Sequence, residues 1–387
     1  MSELSYLEKL LDGVEVEWRN LGDTSLFEIA NNGRKPVKAS LRIAGETPYY
    51  GANNIQDYVD GYTHDGEYVL IAEDGSASLE NYSIQYATGK FWANNHVHVV
   101  RGKERVHSRF LYHYLCIVNF LPFLTGGGRA KLTKGQLIEI PVPIPCPDNP
   151  EKSLAIQSEI VRILDKFTAL TAELTAELTA ELNMRKKQYN YYRDQLLSFK
   201  DGEVEWKTLG EITEINTGQK PSEILDKAAT FDYINAGTSR SGYTTMSNCD
   251  GDTVTTPSRG QGGIGFVGYQ KTPFWLGPLC YKIKSLNNEI LINKFLFYTL
   301  QSRNRILLSL KKEGGVPAVN KIDLAKLIIP LPSLDEQKRI VSLLDKFDTL
   351  TNSITEGLPR EIELRQKQYE YYRDLLFSFP KPETVSN

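Results

Sequence analysis

Few residues of this sequence could carry out chemistry, and they do not assemble into a catalytic set. Gly260–Gly265 fits the G-x-G-x-x-G spacing of dinucleotide-binding loops, but such a loop must open a helix, whereas Phe266–Tyr269 resembles a strand. His96 and His98 alternate along a predicted strand without a third metal ligand near them in sequence. The sequence also contains no P-loop and no Asn-Pro-Pro-Tyr methyltransferase motif. It therefore predicts neither a metal site nor a catalytic centre.

Other side chains suit a different task, the reading of base edges in DNA. Arginine and lysine donate to guanine, and asparagine and glutamine pair with adenine. In the first half of the chain the candidates are Tyr49, Tyr50, Asn53, Asn54, Arg129, Lys131 and Lys134. In the second half they are Lys220, Thr238, Arg240, Ser258, Arg259 and Gln261. The alternative for each is an ordinary solvated loop residue.

The elements that must position these loops occur twice, in the order variable block, helical block, variable block, helical block. Each variable block is entered through a similar acidic segment that ends in tryptophan, and each helical block repeats two motifs at one constant offset. The matching pairs are Asp12–Trp18 with Asp201–Trp206, Ile160–Phe167 with Ile340–Phe347, and Lys187–Asp194 with Lys367–Asp374. Tyr6–Gly13 loosely resembles Tyr192–Leu197, so both blocks come after a similar helix end. The pattern predicts a closed, pseudo-two-fold molecule.

The first helical block, about residues 151–199, is predicted to form one long helix because leucine and phenylalanine recur at three- and four-residue steps. At about 1.5 Å per residue it would be roughly 70 Å long. The second block, about residues 334–379, is its expected antiparallel partner. Gly357 and Pro359 predict a break there.

A tandem tetrapeptide, Thr-Ala-Glu-Leu, lies within the first long helix. Its three copies are marked by Thr171 and Leu174, Thr175 and Leu178, and Thr179 and Leu182. Each copy would lengthen the helix by roughly 6 Å and rotate the part of the chain beyond it by roughly 40°. The repeat is therefore interpreted either as an adjustable spacer or as simple coiled-coil filler.

The variable blocks mix strands with helices. The strands are expected at Tyr68–Ile71, His96–Val100, Gly263–Tyr269 and Leu279–Ile283, and the helices at Phe110–Phe120 and Leu291–Leu310. Each block closes with a glycine loop and proline-spaced apolar residues, typical of an extended edge strand. The predicted fold class is α+β, with two mixed α/β recognition domains joined by two long helices that form an antiparallel coiled coil. The segments are 1–150 (with a short N-terminal helix), 151–200, 201–333 and 334–387.

Length and charge limit the functional classes. A chain of 387 residues suits two or three domains. No apolar run reaches the roughly 18 residues of a membrane span, and the first residues lack a signal-like pattern, so a cytoplasmic protein is expected. The four cysteines form no CxxC pair. The net charge of −3 is unusual for a free-standing DNA binder, which is normally basic, so partners are expected to supply phosphate contacts.

The chain resembles the specificity subunits of type I restriction-modification systems. The resemblance is carried by the tandem repeat, the Leu-Asp-Lys-Phe and Tyr-Tyr-Arg-Asp segments and the Ile-Pro-Val-Pro segment. The resemblance covers both helical blocks and both block entrances, and the TAEL spacers resemble the type IC branch. It implies a non-catalytic DNA-recognition subunit whose two domains each read half of a split, asymmetric target. It also implies two methyltransferase subunits and restriction subunits as partners on double-stranded DNA, with S-adenosylmethionine, ATP and Mg²⁺ bound by them.

Two other classes of function stay open from the residues alone. A self-contained enzyme acting on DNA would show activity as the isolated chain. A coiled-coil scaffold without a DNA role would show no sequence-dependent binding, and it leaves the paired but diverged blocks unexplained.

Overall fold

The computed structural model describes residues 9–10, 13–126, 130–200, 202–228, 230–260, 262–312, 316–352 and 357–379. The chain divides into two compact units, residues 1–175 with 364–387, and residues 176–363. Each unit therefore combines one variable block with part of the helical blocks. The predicted short N-terminal helix and the C-terminal tail lie largely outside the described residues, which do not include 1–8, 11–12 and 380–387.

The first unit is built from two four-stranded sheets and a small two-stranded one. The main four-stranded sheet has the order β2-β9-β6-β7, and the second has the order β4-β3-β8-β5. Strand β1 pairs with β10. The strands are β1 (Val16–Asn20), β2 (Phe27–Ile29), β3 (Ala44–Tyr50), β4 (Ile55–Val59), β5 (His64–Asp65), β6 (Tyr68–Ala72), β7 (Ile84–Ala87), β8 (Lys90–Ala93), β9 (Val97–Gly102) and β10 (Pro141–Pro145). The helices are α1 (Ser108–Leu115), α2 (Lys134–Leu137) and the start of α3 (Pro150–Leu196).

The second unit repeats this plan. Its main sheet has the order β12-β18-β15-β16, its second sheet β14-β13-β17, and β11 pairs with β19. The strands are β11 (Glu205–Thr208), β12 (Thr213–Thr217), β13 (Phe231–Ile234), β14 (Gly242–Thr244), β15 (Thr253–Pro257), β16 (Gly268–Gln270), β17 (Trp275–Leu276), β18 (Cys280–Ser285) and β19 (Ile328–Leu331). The helices are α4 (Leu209–Ile212), α5 (Asn293–Ser302), α6 (Asn304–Ser309), α7 (Lys321–Ala325), α8 (Leu334–Asn352) and α9 (Leu358–Leu376).

The proline-spaced segments form the edge strands that the sequence predicts. In the first unit β10 pairs antiparallel with β1, so that Trp18 lies opposite Pro143. In the second unit β19 pairs antiparallel with β11, so that Trp206 lies opposite Pro330. Proline lacks an amide donor and is tolerated in such short edge ladders. The ladders join the entrance of each block to its exit.

Each unit contains an antiparallel helix pair, as predicted. In the first unit the ring of Phe167 on α3 lies 5.2 Å from that of Tyr372 on α9, and the Thr168 hydroxyl donates to the Tyr369 hydroxyl (3.1 Å). In the second unit Tyr192 of α3 stacks on Phe347 of α8 with centroids 6.0 Å apart. Phe167 is equivalent to Phe347 in the repeat, and Tyr372 is equivalent to Tyr192, so the same two repeat positions meet in both units.

The predicted break in the second helical block is confirmed. Helix α8 ends at Asn352 and α9 begins at Leu358. Gly357 has φ +80°, and a Cβ there would lie 2.7 Å from the Leu350 carbonyl oxygen. Glycine is needed at this position because a side chain would be strained in conformation and crowded by the preceding helix.

Three predicted elements differ from the structure. The strand expected at Gly263–Tyr269 is confined to Gly268–Gln270, because residues 262–265 form a turn in which Gly263 leaves no room for a Cβ beside the Ala236 carbonyl. The helix expected at Phe110–Phe120 is shorter, Ser108–Leu115. The helix expected at Leu291–Leu310 is split in two at Arg303, whose backbone is not helical.

The spacer repeat lies on continuous helix. Leu174, Leu178 and Leu182 are half-buried, and the intervening glutamates Glu173 and Glu177 are exposed. Such a stripe stabilises a helix through packing on one face only. Among the described residues, no helix has the length and apolar character that crossing a membrane requires.

Candidate nucleic-acid interface

A buried glutamine docks each variable block on its helix. Gln157 of α3 is fully buried, accepts a hydrogen bond from the His107 amide (2.9 Å) and donates to the Arg105 carbonyl (3.1 Å). Gln337 of α8 is also fully buried, accepts from the Ile292 amide (2.9 Å) and donates to the Ile290 carbonyl (2.8 Å). Because both glutamines bind the backbone that leads into a helix, the two blocks are mounted by the same contacts.

A carboxylate further along the same helix as the glutamine reinforces each docking contact. In the first unit Asp165 accepts from Arg109 (2.9 Å) and from His113 (2.7 Å) on α1. Burial opposes ionisation of Asp165, but hydrogen bonds from Arg109 and His113 outweigh it and lower the pKa of the carboxyl group. Burial also lowers the pKa of His113, despite its carboxylate partner.

In the second unit a tyrosine takes the place of that histidine. Asp345 accepts from the Tyr298 hydroxyl (2.5 Å) and pairs with Lys294 (3.4 Å), both on α5. Burial and the hydrogen bond to Asp345 raise the pKa of Tyr298. Each variable block thus docks on its own helix at equivalent positions, through a histidine in the first unit and a tyrosine in the second.

These docking residues were not predicted from the sequence. The docking residues on α1 and α5 belong to a further repeat, in which Ser108–Leu115 (SRFLYHYL) corresponds to Asn293–Ser302 through its first eight residues (NKFLFYTL). Phe110 and Phe295 are both fully buried. The shared pattern of a cation followed by Phe-Leu and an aromatic residue was the available signal.

The first-unit candidates Tyr49, Tyr50, Asn53 and Asn54 lie at the end of β3 and the turn after it. Tyr49 is 2% exposed, and its hydroxyl accepts from the Val37 amide (3.0 Å), an arrangement that suits packing of the strand. Tyr50 is half-buried against Phe91. The side chain of the exposed Asn53 binds the neighbouring loop, because its Nδ2 donates to the Gly75 carbonyl and its Oδ1 accepts from the Ala77 amide. Asn54 is also exposed.

The remaining first-unit candidates flank the glycine loop. Lys131 pairs with Glu73 (3.0 Å), which also binds Arg34 (2.6 Å). Burial opposes ionisation of Glu73, and hydrogen bonds from Arg34 and Lys131 outweigh it and lower the pKa of this carboxyl group. Lys134 is exposed at the start of α2, and Arg129 lies outside the described residues. The ion pairs show that Lys131 is held in place by its neighbours.

The second-unit candidates fall into two places. Lys220, Thr238 and Arg240 are exposed around the small sheet, and Arg240 pairs with Asp232. Ser258 is buried and Arg259 is exposed at the end of β15, where the Arg259 backbone bridges to Ala318 beside the second glycine loop. Gln261 lies outside the described residues. DNA contact by any of these candidates stays a prediction.

A cleft separates the two sheets of the second unit. Its volume is about 620 Å³, and its lining is polar and apolar in about equal parts, with Thr255 of β15, Gln270 of β16 and Thr238 and Arg240 of the loop after β13 among the polar residues. A small buried cluster lies between the sheets of both units, formed by Phe91, Ala93 and Val97 in the first and by Phe274, Leu276 and Cys280 in the second. The two units therefore share a scaffold and differ in the second sheet, which has four strands in the first unit and three in the second.

The residues that first suggested chemistry have structural roles. The His96 ring pairs with Asp74 (2.5 Å), and the buried His98 ring binds the Asn31 amide (2.9 Å) and the Leu132 carbonyl (2.7 Å). Among the described residues, no group of three or more histidine, cysteine or carboxylate side chains could hold a metal ion. In the described part of Gly260–Gly265 no helix begins, unlike a dinucleotide-binding loop.

Comparisons with known proteins agree across the whole chain. The family described as "Type I restriction modification DNA specificity domain" matches residues 14–184 and 202–364. A putative type I restriction enzyme specificity subunit of Haemophilus influenzae is 47% identical over a 407-residue alignment that covers 97% of this chain and 98% of that protein. The specificity subunit of an Escherichia coli type I restriction enzyme is 42% identical, with 100% of both chains covered.

Solved structures show the same fold at low identity. The S subunit of a type I restriction-modification system from M. genitalium has a TM-score of 0.54 at 19% identity, covering 96% of this chain and 98% of that one. A chain from a structural study of complex assembly and conformational transition in the type I R-M system has a TM-score of 0.59 at 16% identity, covering 94% and 97%. The predicted architecture is confirmed by these likenesses.

Proposed function

The chain belongs to the type I restriction-modification DNA specificity subunits, and we propose that each of its units reads one half of a split, asymmetric DNA target. The observation that carries this proposal is the duplicated docking of two diverged blocks. Gln157 and Gln337 mount the blocks through equivalent contacts, while the blocks diverge in sequence and their second sheets have four strands in the first unit and three in the second. One scaffold with two different reading faces is what a two-part target requires.

The partners in this proposal are double-stranded DNA, two methyltransferase subunits and restriction subunits. The chain itself is non-catalytic and cytoplasmic in the proposal, and S-adenosylmethionine, ATP and Mg²⁺ bind to the partners. Relatives named as specificity subunits support this division of labour. The net charge of −3 supports it too, because phosphate neutralisation normally requires a strongly basic surface.

The tandem tetrapeptide is proposed to set the gap between the two half-sites. One tetrapeptide adds roughly 6 Å and a turn of roughly 40° to a helix. One base pair adds about 3.4 Å and about 35° to DNA. The rotations nearly agree, so a change of one repeat is matched in phase by one base pair. The assignment to the TAEL-bearing type IC branch also stays a prediction.

The test is co-expression of this chain with its methyltransferase subunit in a host without adenine methylation, and then single-molecule sequencing for N6-methyladenine. The expected result is one split motif, methylated in both halves across a fixed gap. Expression of either protein alone is the control and should leave the genome unmethylated. Methylation by this chain alone would favour a self-contained enzyme, and no methylation by a soluble, assembled complex would favour a scaffold.

A further inference from the structure

We propose that Arg240 reads a guanine in the half-site bound by the second unit, an inference that rests on the proposed function. Arg240 lies at the cleft between the two sheets and its side chain is 53% exposed. It is the only arginine among the residues that line this cleft in the described part of the chain. Its surroundings fix its direction and leave part of the guanidinium available.

Two neighbours orient the guanidinium of Arg240. Its Nη1 donates to Asp232 (3.4 Å) and its Cζ lies 4.6 Å from the ring centroid of Tyr243. Asp232 and Tyr243 face each other across the β13–β14 ladder, so the pair is part of the sheet. Stacking and a carboxylate together reduce the freedom of a long side chain before it meets its target.

Guanine is the base that matches the remaining donors. A guanidinium carries five N–H groups in a planar fork, and Asp232 occupies only one nitrogen. Within the described residues, Arg240 makes no other hydrogen bond, so the edge formed by its other nitrogens is available. The major-groove edge of guanine presents two acceptors, O6 and N7, which an arginine binds with two parallel hydrogen bonds.

The position of the cleft also suits contact with DNA. Helix α5 packs on β15 and β16 and docks on α8 through Lys294 and Tyr298. Within β15, Val254 belongs to the core shared with α5, whereas Thr255 lines the cleft. Since successive strand residues point to opposite faces, the cleft lies on the face of the sheet away from the helical block.

The first unit contains an arginine with the same kinds of partner but a different role. Arg42 pairs with Asp57 (3.3 Å) and lies 4.1 Å from the Tyr49 ring. The Nε of Arg42 also donates to the Val37 carbonyl (3.1 Å), and the side chain is only 15% exposed. Arg42 is thus held by its own unit, whereas Arg240 keeps donors for a ligand.

The experiment measures methylation by the complex of this chain with its methyltransferase subunit, for the parent chain and for Arg240→Lys and Arg240→Ala. Genome-wide maps are combined with rates on duplexes that differ at single base pairs. Lysine keeps the charge and loses the planar fork, so it separates base reading from phosphate contact. Arg339→Ala is the matched control, since Arg339 is 54% exposed and paired with Glu336 but lies on α8.

We expect both Arg240 variants to lose discrimination at one G·C pair of one half-site by about 10- to 100-fold. The other half-site, the gap and the Arg339→Ala motif should stay as in the parent. A parent motif without a G·C pair in the half-site that the second unit binds, or variants that keep the parent motif, would overturn the inference alone. So would a uniform loss across all sites in Arg240→Ala that lysine restores, because that is the behaviour of a phosphate contact. A parent complex that methylates no split target would overturn the proposed function as well.

Discussion

Replacement of the buried Gln337 by leucine is expected to loosen the second unit selectively. The glutamine side chain serves three backbone groups, the Ile292 amide and the carbonyl groups of Ile290 and Pro332. Leucine fills similar space but leaves all three without this partner. At about 1 kcal/mol or more for each buried group left unsatisfied, the local free energy of opening should fall by about 3 kcal/mol.

Hydrogen exchange measured by mass spectrometry is the appropriate assay, because a chain of two units does not guarantee a two-state unfolding transition. A loss of about 3 kcal/mol corresponds to roughly 100-fold faster exchange of the α5 amides. Gln157→Leu should produce the same effect over α1 in the first unit, with α5 unchanged. Gln366→Leu is the control, since Gln366 is exposed and its side chain donates, within the described residues, to Glu370 alone (3.1 Å).

Unchanged protection of α5 in Gln337→Leu would refute the reasoning. It would show that the apolar contacts of Phe295 and Leu296, both fully buried, hold the helix without the glutamine. Loss of protection in both units at once would refute it as well, because the docking contacts belong to one unit each.

Three further predictions concern the spacer, the helix break and the docking histidine. Deletion of Thr179–Leu182 should shorten the gap of the methylated motif by one base pair and leave both half-sites unchanged, and an unchanged gap would contradict the spacer proposal. Gly357→Ala should destabilise the α8–α9 connection by about 1–3 kcal/mol, measured as faster hydrogen exchange there, because a Cβ would lie 2.7 Å from the Leu350 carbonyl oxygen at φ +80°. Lowering the pH below about 6.5 should weaken α1 docking, because burial lowers the pKa of His113 and the unfolded state then binds the proton more readily. The protection of the α1 amides, relative to their intrinsic exchange rates, should depend less on pH between about 7 and 5.5 in His113→Tyr. Asp165, Arg109 and Arg373 are the charged groups that act on this ring. Burial also lowers the pKa of His98 in this unit, so a smaller dependence of the same sign should remain.

The sequence predicted the parts of the fold whose spacing is constant. The sequence predicted the helical blocks, their antiparallel pairing and the break at Gly357, because these follow from repeats and helix chemistry. The repeat of α1 in α5 was missed because loops of different length precede the two helices, so their offset differs from that of the helical blocks. A comparison restricted to constant offsets cannot detect such a match.

The candidate site was predictable by residue type and less so by environment. Tyr49 resembles a loop aromatic in sequence, yet its ring is buried and its hydroxyl is engaged by the Val37 backbone. Arg42 and Arg240 are the same residue type, and only their exposure and partners distinguish them. Burial of this kind depends on contacts between strands distant in sequence, which local patterns do not encode.

The membership of residues 364–379 in the first unit has a consequence for biosynthesis. Phe377 packs against Phe110 (5.6 Å between ring centroids) and Tyr114 (5.7 Å), more than half the chain away in sequence. The first block is translated early, but its core stays incomplete until this late segment leaves the ribosome. The second unit, residues 176–363, holds all of its own segments sooner. Long-range contacts of this kind form slowly, so the later-synthesised unit is expected to mature first and the earlier one to be the more exposed to chaperones and proteases.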